Sequence, residues 1–117
     1  MKFETMEVWK RSVTLSCEVY RSVSRLKDYG FKDQISRSSL SIPSNIAEGM
    51  ERLSIKDSIN FLSYAKASSG ELYTQAIIGQ NIGYLDEETV TFLKVESKEI
   101  SRMLGALITK RKEFIKQ

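Results

Sequence analysis

The side chains best able to do chemistry in this sequence are the carboxylates Glu48 and Glu71 and a run of hydroxyls, Ser36-Arg37-Ser38-Ser39-Leu40-Ser41. Their company decides what they can do. The 117 residues include no histidine, which removes the usual general base and the commonest transition-metal ligand. Di-iron catalysis in a helical bundle needs inward-facing Glu-x-x-His pairs, and none can exist here. No serine of the run has a histidine to activate it. A serine–lysine arrangement of Ser63 or Ser69 with Lys66 is formally open, but helical serines beside a lysine ordinarily serve packing or the surface. Gly30 and Gly49 stand alone, and neither is followed by the Lys-Ser or Lys-Thr of a phosphate loop. The expectation is a protein that is not an enzyme and needs no metal or cofactor.

Glu48 and Glu71 then read as structural. Glu48 is expected to pair with Arg37 across the outer side of one helix. Glu71 and Gln75 lie four residues apart on one face of the next, and Asn45 joins them in a polar cluster between the two. Buried groups of this kind must be mutually hydrogen-bonded, and their commonest benefit is a fixed helix register.

Charge supplies the other candidate site. Lys and Arg number 18 against 15 Asp and Glu, a net charge of +3. The isoelectric point near 9.0 sits at the margin of a basic footprint. Lys10, Arg11, Arg21 and Arg25 fall along the polar side of the first helix, and Lys110, Arg111 and Lys112 begin a basic tail that runs to Lys116. These are the candidate contacts to RNA or DNA phosphates, whose affinity falls steeply with salt. Glu18 and Asp28 interrupt the first stripe, and a simple solvated face accounts for it equally well. Assembly of several copies would concentrate each small excess into one field.

The elements that must position these residues are helices. One proline and six glycines in the chain favour helix, and the apolar spacing agrees. From about Thr5 to Lys27, Val8, Trp9, Val13, Leu15, Cys17, Val19, Tyr20, Val23 and Leu26 share one side. That arc is roughly 200° wide, against the 100° or more of a helix facing a single core, a hint of contact with another copy. The plainer reading leaves rim residues such as Cys17 and Val8 part exposed. Asp28-Tyr29-Gly30 breaks the pattern.

A second helix is expected from about Asp33 to Met50, with a narrow seam of Ile35, Ser39, Ile42 and Ile46 and a kink at Pro43. Proline removes one hydrogen bond and crowds the carbonyl four residues back, so a break into two short helices is the alternative. The third begins after Ser54, which stands in an N-cap relation to Asp57, and ends at Gly83. Its small middle, Ala65 to Gly70, suggests a close backbone approach at Gly70. Asp86 caps the fourth, with Leu85 and Val90 as a hydrophobic staple. There Leu93, Ser97, Ile100, Leu104, Leu107, Arg111 and Phe114 keep a 4-3 rhythm over about three heptads. Short loops make neighbours antiparallel. The expected fold is all-α, one domain over 1–117, an up-down-up-down four-helix bundle. No apolar run suffices to cross a membrane, and a lone Cys17 fits a reducing cytoplasm.

The stretch Arg37-Ser38-Ser39-Leu40-Ser41-Ile42-Pro43-Ser44-Asn45-Ile46-Ala47-Glu48-Gly49 resembles the signature of a bacterial four-helix-bundle family. It comprises proteins encoded in intervening sequences of large-subunit ribosomal RNA genes, and the accessory variability protein of diversity-generating retroelements is a relative. Glu7-Val8-Trp9-Lys10, Tyr29-Gly30-Phe31, Ser69-Gly70-Glu71-Leu72 and Gly83-Tyr84-Leu85 extend the resemblance over nearly the whole chain. It implies an antiparallel bundle assembled into a homopentamer. In the retroelement relative it implies nucleic-acid and reverse-transcriptase binding through a strongly basic surface. Many relatives carry Arg-Arg where this chain has Ser36-Arg37, and an acidic residue in place of Tyr73. Two readings follow: an oligomeric scaffold that binds nucleic acid, and a protein-docking adaptor that does not.

Overall fold

The computed structural model describes residues 1–115. A short 3₁₀ turn at Lys2–Thr5 precedes four α-helices: α1 at Glu7–Val23, α2 at Tyr29–Glu51, α3 at Ile55–Asn81 and α4 at Glu87–Ile115. No strand occurs among the described residues. Each helix packs on its neighbours in the chain, and α1 closes on α4, while the backbones of the diagonal pairs, α1 with α3 and α2 with α4, stay apart. The helices therefore stand in a ring, as an antiparallel up-down-up-down bundle measuring 50 × 23 × 21 Å. None of them is long and apolar enough to cross a membrane.

The turns follow local chemistry. α1 is shorter than its apolar pattern suggests, because the chain turns at Ser24, whose carbonyl accepts from Lys32 Nζ of α2 at 2.9 Å. A lysine on a terminal carbonyl is a common way to close a helix. α2 starts four residues earlier than expected. Asp28-Tyr29-Gly30 is its beginning, with the Asp28 carboxylate accepting from the Phe31 N–H at 3.1 Å as N-cap. The helix then runs unbroken through the buried Pro43, so two short helices do not form.

Ser54 Oγ accepts from the Asp57 N–H at 3.3 Å and caps α3. At the far end Gly83 has φ +82°, its N–H bonds the Gln80 carbonyl at 3.1 Å, and the Tyr84 N–H bonds that of Gly79 at 2.8 Å. This is a Schellman closure, which needs a left-handed residue at Gly83. Asp86 caps α4 through the Thr89 N–H at 2.8 Å, and Leu85 and Val90 are both buried beside it.

Each helix contributes to one core: Leu15, Val19 and Val23 from α1, Ile35, Ile42 and Ile46 from α2, Leu62, Leu72 and Ala76 from α3, Leu93, Ile100 and Leu104 from α4. The 4-3 rhythm of α4 does not last to its end. After Leu104 it is Ile108 that is buried, Leu107 is half-buried and Phe114 is exposed. An α-helix drifts by about 20° per heptad from a strict seven-residue repeat, which carries the later positions off the core.

The close approach of backbones also differs from expectation. It falls at Gly49, where a Cβ would stand 3.0 Å from the Ser58 carbonyl oxygen and 3.2 Å from Leu62 Cγ. At Gly70 a Cβ would meet nothing within 4 Å.

Candidate nucleic-acid interface

The basic residues of α1, with Arg25 just past its end, divide into bound and free. Arg11 turns onto α4, its Nε 3.1 Å from Glu96 Oε1 and its Nη2 2.7 Å from Oε2. The hydrogen bonds it donates to Glu96 hold its guanidinium above the ordinary arginine range. Arg21 lies 3.5 Å from Glu18 on its own helix. Lys10 and Arg25 are exposed and take part in none of the ion pairs among the described residues.

At the other end of the bundle, Lys110 and Lys112 are exposed while Arg111 is half-buried. Arg111 Nη2 donates to Met50 Sδ at 3.4 Å, and its buried Nε has no partner. Lys116 lies outside the described residues. Because α1 and α4 are antiparallel and Arg11 is level with Glu96, Arg25 lies at the end of the bundle where α4 starts. Lys110 and Lys112 sit near its end. The two basic groups expected from sequence are therefore not brought together within one chain.

The expected polar cluster is rearranged. Arg37 Nε bonds Asp33 Oδ2 at 2.8 Å, and Glu48 pairs with Arg52, so the Arg37–Glu48 pair does not form. Eleven residues of helix span roughly 16 Å at 1.5 Å per residue, too far for one ion pair. Asn45 Nδ2 donates at 2.8 Å to both the carbonyl and the Oγ of Ser41, and Ser41 Oγ meets Ser68 Oγ of α3 at 2.8 Å. Ser38 Oγ reaches Glu71 Oε2 at 3.3 Å. Gln75 Oε1 is buried without a partner. Asn45 and Glu71 thus join the α2–α3 contacts through the serine hydroxyls Ser41 and Ser38. No group of three or more potential metal-ligating residues occurs among the described residues.

The sequence as a whole matches the family model described as 23S rRNA-intervening sequence protein over residues 4–106. The chain belongs to that family. The fold is similar to that of a solved structure, a protein of unknown function from the S23 ribosomal protein family of Bacteroides thetaiotaomicron. It is 27% identical, with a TM-score of 0.81 over 86% of this chain and 97% of that one. No curated protein matches the chain in sequence. The neighbour shares the helical bundle, and neither the family description nor the neighbour's carries a catalytic assignment.

Proposed function

We propose that this intervening-sequence family member is a non-enzymatic helical scaffold of the bacterial cytoplasm. In this reading it assembles with copies of itself, as a pentamer on the family resemblance, and binds RNA or DNA through its unpaired cations. The observation that supports assembly is the uncovered apolar side of α1 and α2. Tyr20 is 47% exposed, Tyr29 73% and Leu40 50%, with both tyrosines lining the groove between the two helices. Burying such side chains against another copy yields about 25 cal/mol per Å² of apolar surface removed from water. Lys10, Arg25, Lys110 and Lys112 then gather from several chains into one field.

Light scattering tests assembly: the reading expects about five times the 13.4 kDa chain mass, and a monomer at micromolar concentration removes it. Nucleic-acid titrations across a salt series test binding. A phosphate-driven complex weakens steeply with salt, and Lys110→Glu with Lys112→Glu weakens it further. The pairing of Arg11 with Glu96 and of Arg21 with Glu18 favours a second reading, a protein-docking adaptor. Oligomer formation with no nucleic-acid binding at low salt selects that one.

A further inference from the structure

A groove between α3 and α4 at mid-bundle is lined by Ser69, Gly70, Tyr73, Ser97, Lys98 and Ser101. Two of its features lack a packing explanation. Ser97 is 1% exposed, yet its Oγ has no hydrogen-bond partner, although buried polar groups are nearly always paired. Gly70 lies inside α3, where glycine is the poorest residue after proline. A Cβ there would touch nothing within 4 Å, so close helix packing does not require the glycine. Its missing side chain leaves the groove open.

Ser69 spends its hydroxyl hydrogen on the Lys66 carbonyl, and the other serines and the lysine of the groove can donate. The Ser97 hydroxyl is free to donate. Ser101 Oγ accepts from Lys66 Nζ at 3.2 Å, which leaves its own hydrogen free to donate as well. Lys98 is exposed and belongs to no ion pair among the described residues. Lys94 Nζ lies 5.6 Å from the Tyr73 ring centroid and adds a second ammonium beside the wall. No carboxylate lines the groove. The nearby Glu96 and Glu99 are held by Arg11 and Arg102.

Hydroxyl and ammonium donors on several sides, with no acceptor of negative charge among them, suit an oxyanion. A tetrahedral anion presents its oxygens in several directions and can meet Ser97, Ser101 and Lys98 from different sides, whereas the acceptor sites of a carboxylate lie in one plane. We infer that this groove binds a phosphate group, carried either by a nucleotide or by free inorganic phosphate.

Two substitutions leave the fold intact and test the site. Ser97→Ala removes an unpaired buried hydroxyl and strands no partner. Gly70→Ala improves helix propensity and narrows the groove. Amide resonances of the full chain are followed while inorganic phosphate is added at constant ionic strength, with chloride as the control. Saturable shifts at Gly70, Ser97 and Ser101 are expected, and Ser97→Ala should weaken binding about tenfold, the usual worth of a hydrogen bond to a charged group. Shifts that do not saturate, that chloride reproduces, or that Ser97→Ala leaves unchanged overturn the proposal. Uridine 5′-monophosphate then separates the sources. Tighter binding than phosphate, with competition between the two, assigns a nucleotide, and equal binding assigns free phosphate. Mononucleotide binding that phosphate does not displace counts against the site. Every lining residue belongs to one chain, so the site needs no second copy to be complete.

Discussion

Arg11 and Glu96 form a two-bonded pair between α1 and α4 at 3.1 and 2.7 Å. It is the one ion pair among the described residues that joins two helices, since the others lie three or four residues apart in sequence. Bidentate geometry places it above the median surface pair, while the 32% exposure of Arg11 lets water screen it. Glu96→Ala should cost about 1 kcal/mol in urea unfolding. Arg37→Ala, whose partner Asp33 is on the same exposed helix face, should cost less than about 0.5 kcal/mol.

Gly49 and Gly70 should respond oppositely to the same change. Gly49→Ala pushes a Cβ against the Ser58 carbonyl at 3.0 Å, and a backbone atom gives way only if α2 and α3 separate. A net loss of about 1–2 kcal/mol is expected, overpacking offset in part by better helix propensity. Gly70→Ala meets nothing within 4 Å and should gain about 0.5–1 kcal/mol. Chemical denaturation of the two variants side by side checks both signs.

Gly83→Ala should destabilise by about 1–2 kcal/mol, the cost of holding an L-residue in the left-handed region. Its φ is +82° and nothing lies within 4 Å of an added Cβ, so the loss is conformational rather than steric. Gly83→Asn should recover part of it. Thermal unfolding of the pair distinguishes the two causes.

Acid should unfold the protein through its helix caps. Backbone hydrogen bonds from Phe31, then the Tyr84 hydroxyl, hold Asp28 below the ordinary carboxylate range. The Thr89 N–H does the same for Asp86, and the hydrogen bonds of Arg102 for Glu99. A carboxylate depressed in the fold contributes fully above its unfolded value, about 3.9 to 4.3, and loses that contribution as pH falls through the folded value. Melting temperature should stay flat from about pH 7 to 5, where a histidine would otherwise titrate, and drop below about pH 4. Asp28→Asn with Asp86→Asn keeps a capping oxygen at both sites. That variant should show a shallower acid decline when its circular dichroism is followed from neutral to acid pH.

Local signals were legible before the structure. Ser54 with Asp57, Asp86 with Leu85 and Val90, and Gly83 all fall where the chain alone placed them, because capping joins residues within a few positions. Asp28-Tyr29-Gly30 misled, since the residue types that interrupt a helix also begin one, and apolar periodicity cannot separate the two in a short stretch. Pairings between helices were out of reach. Arg11 finds Glu96 85 residues away, and no spacing rule connects them. The run of serines in α2 shows as hydroxyls without a base, whereas Ser41 and Ser68 face each other only once the α2–α3 interface exists. The α3–α4 groove was hidden for the same reason: an unpaired Ser97 is a property of packing.

The ring of helices also sets an order of folding. Three of its contacts join helices adjacent in the chain, and only α1 with α4 must close across most of its length. Hairpin-local topologies of this kind fold quickly, in microseconds to milliseconds, and the long closure carries the larger loop entropy and belongs last. Loss of Glu96 should therefore speed unfolding while leaving the folding rate nearly unchanged. In native-state hydrogen exchange α1 should open before α2 and α3. The first helix of the chain is then the last to be locked in place, and the first free to trade its own α4 for that of a neighbouring molecule.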